Sequence, residues 1–244
     1  MAVAPPAGGG MNWELVFTAN NVRRLLIGDY PEALGGVALT LVLSVIAIVL
    51  ATLLGFLIGY MRFAGGRPLR WAAAGYVELL RNIPLLVLIF WAYFAPPYFG
   101  YEPTKFTSVL VALVLFNAAY IAEVVRSGLL SVSAGQTEAA RAMGMSPLQQ
   151  ALYVMLPIAA YNTIPALTGR YITLLKGTSL AFLIGLSEVT EIGRQINNRL
   201  LTAPVEIYAT LLVIYFCLNR SLSGGMRLFE DRRRFNRIFC FFAR

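Results

Sequence analysis

The chain offers few residue types that could do chemistry. It has no histidine, and its two cysteines, Cys217 and Cys240, stand far apart in an apolar segment and near the end of the chain. Histidine-based acid–base catalysis and cysteine-rich zinc binding are excluded with them, so no catalytic residue and no metal ligand is assigned. The cysteines read as small hydrophobes rather than as a disulfide. The only lysines are Lys105 and Lys176, and neither follows the glycine required by a GxxxxGK[ST] phosphate loop. The chain is therefore not expected to bind ATP in that manner. A Ser–Lys nucleophile would have to join Lys176 to Ser179, three residues on, which is a weak signal.

What remains are polar side chains set into apolar runs, and short polar segments between them. Thr178 and Ser179 lie in Gly177–Ser187, a stretch too short to span a bilayer that follows a helix expected from about Tyr161 to Leu175. Irregular backbone at membrane depth is tolerated where it is buried in protein or lines a cavity, so this broken or re-entrant element is a candidate polar pathway. Asn117 and Tyr120 lie within an uncharged run. Glu123 and Arg126 fall at its inner end, three apart on one helix face, and read as a local ion pair. Glu78 and Arg81 read as a second structural pair.

The elements that hold these residues are membrane elements. Of the 244 residues 58% are hydrophobic and only 13% charged, which departs from soluble averages in the direction of lipid as solvent. The net charge of +8 is carried mostly by arginines beside apolar runs, which suits a membrane surface and not nucleic acid. Residues 33–61 hold no charge and form the first expected span, with Gly55 and Gly59 spaced for close packing against a neighbouring helix of the same chain. Asn82–Tyr101, Phe106–Ala122, the broken element and Glu206 to about Leu222 complete five crossings. Residues 1–10, rich in proline and glycine, read as a retained flexible tail without the positive start of a signal peptide. Trp13–Ile27 is too interrupted to span and is expected at the interface or as a surface helix.

Charge asymmetry orients the chain. Residues 1–32 carry two arginines against three acids, whereas the tail from Asn219 carries seven arginines against Glu230 and Asp231. The positive-inside tendency places the N-terminus outside and the C-terminus in the cytoplasm, as an odd number of crossings requires. The expected organisation is an interfacial segment at 1–32, a transmembrane domain at 33–222 and a basic tail at 223–244.

One cytoplasmic segment, 131–160, is shaped too specifically to be a simple loop. Glu138–Met143 favours helix, and Gly144 supplies the left-handed position that closes one. Ser146 is an N-cap, Pro147 sits where its missing donor is harmless, and Gln149 completes a capping box. A second short helix then runs from Leu148 to about Met155 and is closed by Pro157. The two form a projecting knob, with Glu138, Arg141, Gln149 and Gln150 as an exposed polar rim.

Glu138-Ala139-Ala140, Gly144 and Leu156-Pro157 resemble the EAA signature of permease subunits of ATP-binding-cassette (ABC) importers, EAA-x3-G-x9-I-x-L-P, with Val154 in place of the isoleucine. Val77-Glu78-Leu79-Leu80-Arg81-Asn82-Ile83-Pro84-Leu85-Leu86, Ala119-Tyr120-Ile121-Ala122-Glu123-Val124-Val125-Arg126 and Leu174-Leu175-Lys176-Gly177-Thr178-Ser179-Leu180 are similar to its polar amino acid branch. The resemblance covers about Tyr30–Tyr215. It departs at Gly177, where the family carries an acid, and in the aromatic, arginine-rich end from Phe235, which leaves cargo and tail function open.

The resemblance implies an all-α integral membrane protein with the type I ABC importer permease fold. It implies a bacterial inner-membrane location and a permease that itself performs no chemistry and binds no cofactor. ATP and Mg would be held by a partner ATPase dimer. The other partners implied are a second permease chain, identical or related, a periplasmic or lipid-anchored amino acid-binding protein, and membrane lipid. Glu138, Ala139, Ala140, Gly144, Ser146, Leu156 and Pro157 would couple the ATPases to the spans. An amino acid carries both charges, and Asn117, Tyr120, Thr178, Ser179 and Glu191 are the candidates to meet them along the pathway. The N-terminal region points towards the glutamate/aspartate group. An ion-coupled secondary amino acid transporter is the rival class, which would show internal repeats and a buried ionisable residue within a span.

Overall fold

A computed structural model describes residues 12–30 and 32–242, with side chains placed as far as Leu228. The expectations for residues 1–10 and for the side chains of the arginine-rich tail lie outside the described residues. The chain opens with α1 (Trp13–Val16) and α2 (Ala19–Ile27), the latter capped by Thr18, whose hydroxyl accepts from the backbone N–H of Asn21. A two-residue antiparallel hairpin follows, β1 (Gly28–Asp29) against β2 (Ala33–Leu34).

The first span is α3 (Gly36–Ala64). The second span expected over 82–101 starts at a bend. α4 (Arg67–Asn82) and α5 (Leu85–Phe94), with a 3₁₀ turn at Pro96–Phe99, are bent by 102° where they meet. The cause is Pro84, which holds Ile83 in an extended conformation (φ −96°, ψ 132°) and so ends α4. α6 (Lys105–Leu130) returns as the third span.

α7 (Ala134–Ala142) and α8 (Pro147–Gln150) follow, and α8 passes through a π-helical turn at Ala151–Met155 into α9 (Leu156–Gly177). Pro157 therefore does not close a helix. The wider π turn leaves room for its ring in the turn that would otherwise clash, and the axis continues. Beyond α9 the chain tightens into a 3₁₀ segment at Thr178–Ile184, the broken element expected there, then forms α10 (Val189–Leu200) and α11 (Pro204–Phe242). α11 runs through the boundary expected at 222, so the tail starts as a continuation of the last span. α3, α6, the run Pro147–Ile184 and α11 up to Leu228 are each long and apolar enough to cross a membrane, and the bent α4–α5 pair, counted as one span, brings the number to five.

In lipid, apolar side chains gain little by leaving the solvent, so helices associate through close contact at small residues. A Cβ on Gly59 would lie 2.7 Å from the carbonyl oxygen of Ala122, and one on Gly55 would lie 2.7 Å from Ile121. The Gly55/Gly59 pair thus serves packing of α3 on α6 within the chain. Gly128 of α6 does the same towards α9, where a Cβ would meet the Thr163 side chain. The main core, with Leu43, Ile89, Leu113, Ile121 and Leu174 fully or almost fully buried, lies between α3, α5, α6 and α9. A second, smaller core joins Val16 and Leu25 to Val189, Ile192 and Ile196 of α10 and to Ile207 of α11.

Candidate coupling knob and translocation pocket

The knob is capped at each of its two helix starts. The Ser133 hydroxyl accepts from the Gln136 backbone N–H while the Gln136 side chain accepts from the Ser133 N–H, and Ser146 and Gln149 repeat the arrangement at α8. Gly144 sits between the helices at φ +78°, with open space where a Cβ would stand, so glycine is needed there for backbone conformation and not for packing. Ala140 is buried under the turn, and Glu138, Ala139, Arg141 and Gln149 are exposed. Gln150, expected in the exposed rim, is buried instead. Its side-chain amide donates to the Met145 carbonyl oxygen at 2.8 Å and braces the turn from within. Leu156 is half-buried and Pro157 exposed where the knob joins α9.

A pocket of about 380 Å³ opens beside α4 and α6, lined by Arg62, Val77, Glu78, Arg81, Tyr120 and Glu123 among others. Glu123 is paired locally with Arg126, as expected, and also with Arg62 of α3, a partner that sequence proximity does not reveal. The expected Glu78–Arg81 pair is absent: among the described residues no ion pair includes either side chain. Their spacing on α4 permits contact, but Arg81 turns to the ring of Tyr120, its guanidinium carbon 5.3 Å from the centroid. Arg170 of α9 reaches the same ring at 4.2 Å. The Tyr120 hydroxyl donates to the Arg81 carbonyl oxygen at 3.3 Å, which ties α6 to the end of α4.

The other pathway residues do not converge here. Asn117 is buried and donates to the Leu113 carbonyl oxygen of its own helix. Thr178 and Ser179 donate to the carbonyls of Leu175 and Lys176, which satisfies the backbone freed where α9 tightens into the 3₁₀ segment. Glu191 belongs to the opposite, hairpin end of the bundle. There Arg194 grips both of its carboxylate oxygens at 2.7 Å, Gln195 donates to it at 3.0 Å, and Arg24 bridges Gln195 to Asp29. Burial works against its charge, but the bonds from Arg194 and Gln195 outweigh it and hold the carboxyl below the usual range. The Arg24 guanidinium beside Asp29 likewise holds that carboxyl low.

Two residues at this end escaped the sequence reading. Glu188 is fully buried at the N-cap of α10, where its carboxylate accepts from the backbone N–H groups of Thr190 and Glu191 and from the Tyr215 hydroxyl at 3.0 Å. Burial pushes its carboxyl up to about 7 against the pull of those bonds. Glutamate is not among the preferred N-caps, so no capping signal marks it. Gly36, at φ +56°, donates its N–H to the Ser187 carbonyl oxygen and pins the start of α3 to the start of α10.

Known proteins place this arrangement. The family described as "Binding-protein-dependent transport system inner membrane component" matches residues 51–235. The chain is 36% identical over 202 residues to the "Probable glutamine ABC transporter permease protein GlnP" of Bacillus subtilis (strain 168), with 81% of this chain and 92% of the relative covered. It is 32% identical over 217 residues to the "Glutamate/aspartate import permease protein GltK" of Escherichia coli O157:H7, with 86% and 96% covered. Among solved structures, the "Crystal structure of an amino acid ABC transporter with histidines" matches with a TM-score of 0.75 and 33% identity, over 81% of this chain and 92% of that one. With its helical spans, its capped knob and matches of this extent, the chain belongs to the binding-protein-dependent inner membrane components and is a multi-pass ABC transporter permease of the type I importer fold.

Proposed function

We propose that this permease carries polar amino acids inward across the bacterial inner membrane by alternating access, as one of two permease chains above an ATPase dimer that holds ATP and Mg. An external amino acid-binding protein delivers the cargo. The N-terminus lies outside and the C-terminus in the cytoplasm, which puts the knob on the ATPase side. The reading is supported by the amino acid cargoes named for the relatives and by the charge asymmetry of the chain ends.

The observation that carries it is the knob: Glu138, Ala139 and Ala140 on α7, a left-handed Gly144, and a second arm capped by Ser146 that enters α9 at Leu156-Pro157 without a break. A partner that moves this unit moves a span with it. Of the five pathway candidates, Tyr120 lines the pocket and contacts cargo directly. Asn117, Thr178 and Ser179 shape the helices around the path, and Glu191 acts at the outer mouth.

The experiment is amino acid-stimulated ATP hydrolysis in liposomes, with the co-purified ATPase and binding protein. The intact chain is compared with Gly144→Val, which forces a β-branched residue into a left-handed position without touching the core. Loss of stimulation with assembly retained supports the reading. Normal stimulation by Gly144→Val removes the knob from the transmission path, and a wild-type complex that no amino acid stimulates overturns the cargo assignment.

A further inference from the structure

The pocket beside Tyr120 holds charges that the chain does not pair. Arg62, Arg81, Glu78 and Glu123 line it, while Arg126 joins them through Glu123 and Arg170 through the ring of Tyr120. Glu123 is taken by Arg62 and Arg126. That leaves Arg81 and Arg170 gathered on a single tyrosine ring with no carboxylate in ion-pair range among the described residues, and Glu78, one turn before Arg81 on α4, equally unpaired.

The cost of this grouping falls on Arg170, since Arg81 and Glu78 are exposed. Arg170 lies within the membrane-crossing run Pro147–Ile184 and is half-buried. An ionisable side chain at that depth normally finds a counter-charge, and two guanidiniums on one ring repel each other. The ring's quadrupole offsets part of this. A ligand that brings negative charge would remove the rest.

From this juxtaposition we infer that Arg81, Arg170 and Glu78 form a cargo site for an acidic α-amino acid, which deepens the function proposed above and rests on it. Two carboxylates meet the two unpaired arginines and one ammonium meets Glu78, so the three unmatched charges gathered about Tyr120 are the complement of the three charges of the ligand. A guanidinium fork presents parallel N–H donors to a carboxylate, which suits arginine to this task better than lysine. A neutral-side-chain amino acid would leave one arginine without a partner, and a basic one would add a cation to a surplus of cations. The pocket, at about 380 Å³, is at the small end of ligand-site volumes and matches a ligand of this size.

The test is equilibrium binding of radiolabelled L-glutamate to the intact permease–ATPase complex without binding protein, with co-elution of the ATPase as the check on folding. Glutamate should bind and be displaced by aspartate but not by glutamine or arginine. Arg170→Gln and Arg81→Gln should each weaken binding about tenfold or more, the loss expected of one charged hydrogen-bonding partner. Arg170→Lys should recover part of it. Glutamate affinity unchanged in Arg170→Gln, glutamine binding as tight as glutamate, or no binding by the wild type each overturns the site. Displacement of glutamate by added phosphatidylglycerol would assign the arginines to a lipid phosphate and overturn it as well. The proposed transport function survives any of these results provided that some amino acid still stimulates ATP hydrolysis by the wild-type complex.

Discussion

At the hairpin end, α10 is held by residues about 150 positions away or more. The Gly36 N–H reaches the Ser187 carbonyl, the Thr40 hydroxyl accepts from the Val189 N–H, and Arg24 donates to Gln195. At the knob end, α7 and α8 are held by bonds that span three to five residues: Ser133 with Gln136, Ser146 with Gln149, and Gln150 back to Met145. The same fold therefore closes one end by distant contacts and leaves the other as a self-contained unit. Local capping preserves the shape of the knob while few ties restrain its position, the condition for a rigid body that moves. The distant ties at the other end resist such motion.

Matched glycine substitutions test this contrast with the largest effect. In Gly36→Ala a Cβ would lie 2.3 Å from the Leu25 carbonyl oxygen at a φ of +56°, and no side chain can give way. A loss on the order of 3–5 kcal/mol is expected, read as a fall in the unfolding temperature of the purified permease. Gly144→Ala has a similar φ but open space, so its cost should be near the backbone penalty alone, about 1–2 kcal/mol. Equal losses at the two glycines would abolish the distinction.

Next comes pH. The Glu188 carboxyl in the folded protein sits at about 7, above its ordinary range near 4.5. Its protonated form is the one the fold favours, so the contribution is complete below about pH 4.5 and is lost as pH rises through 7. Unfolding of the wild type should therefore grow easier between pH 5 and 8, by at most about 3 kcal/mol. Glu188→Gln should flatten that slope. A slope of equal size in both proteins would exclude Glu188 as its source.

Smaller effects belong to the knob. Ser146→Ala removes one capping box and should cost about 1 kcal/mol, seen as faster amide exchange confined to α8 and the turn before it. Protection lost at α10 as well would mean that the two ends are not independent. Glu138→Lys, on the exposed surface, should change stability by less than about 0.5 kcal/mol and still reduce amino acid-stimulated ATP hydrolysis. Unaltered stimulation would place the docking contact elsewhere on the knob.

The same division explains what the sequence made legible. Apolar runs located the spans, and the S-x-x-Q spacing with Gly144 and Pro147 located the turn of the knob, because each signal is complete within a few residues. Pro157 misled because its effect depends on whether the preceding turn can widen, which the π-helical Ala151–Met155 does. Gln150 looked like rim until folding turned it under Met145. Arg62 with Glu123, Arg170 with Tyr120, and Glu188 with Tyr215 are separated by 61, 50 and 27 positions, and no local pattern announces them. The residues most concerned with charge inside the bundle were thus the least readable beforehand.

The unbroken passage from α8 through the π-helical turn into α9 puts Ser146 and Arg170 on one rod, about 36 Å apart at 1.5 Å per residue. A push at the knob end is then a torque whose far arm carries a guanidinium, so a small tilt sweeps the charge of Arg170 sideways past Tyr120. A chain built this way needs no separate relay between its knob and the charge of Arg170. The stiffness of the π-helical joint sets the gearing between them.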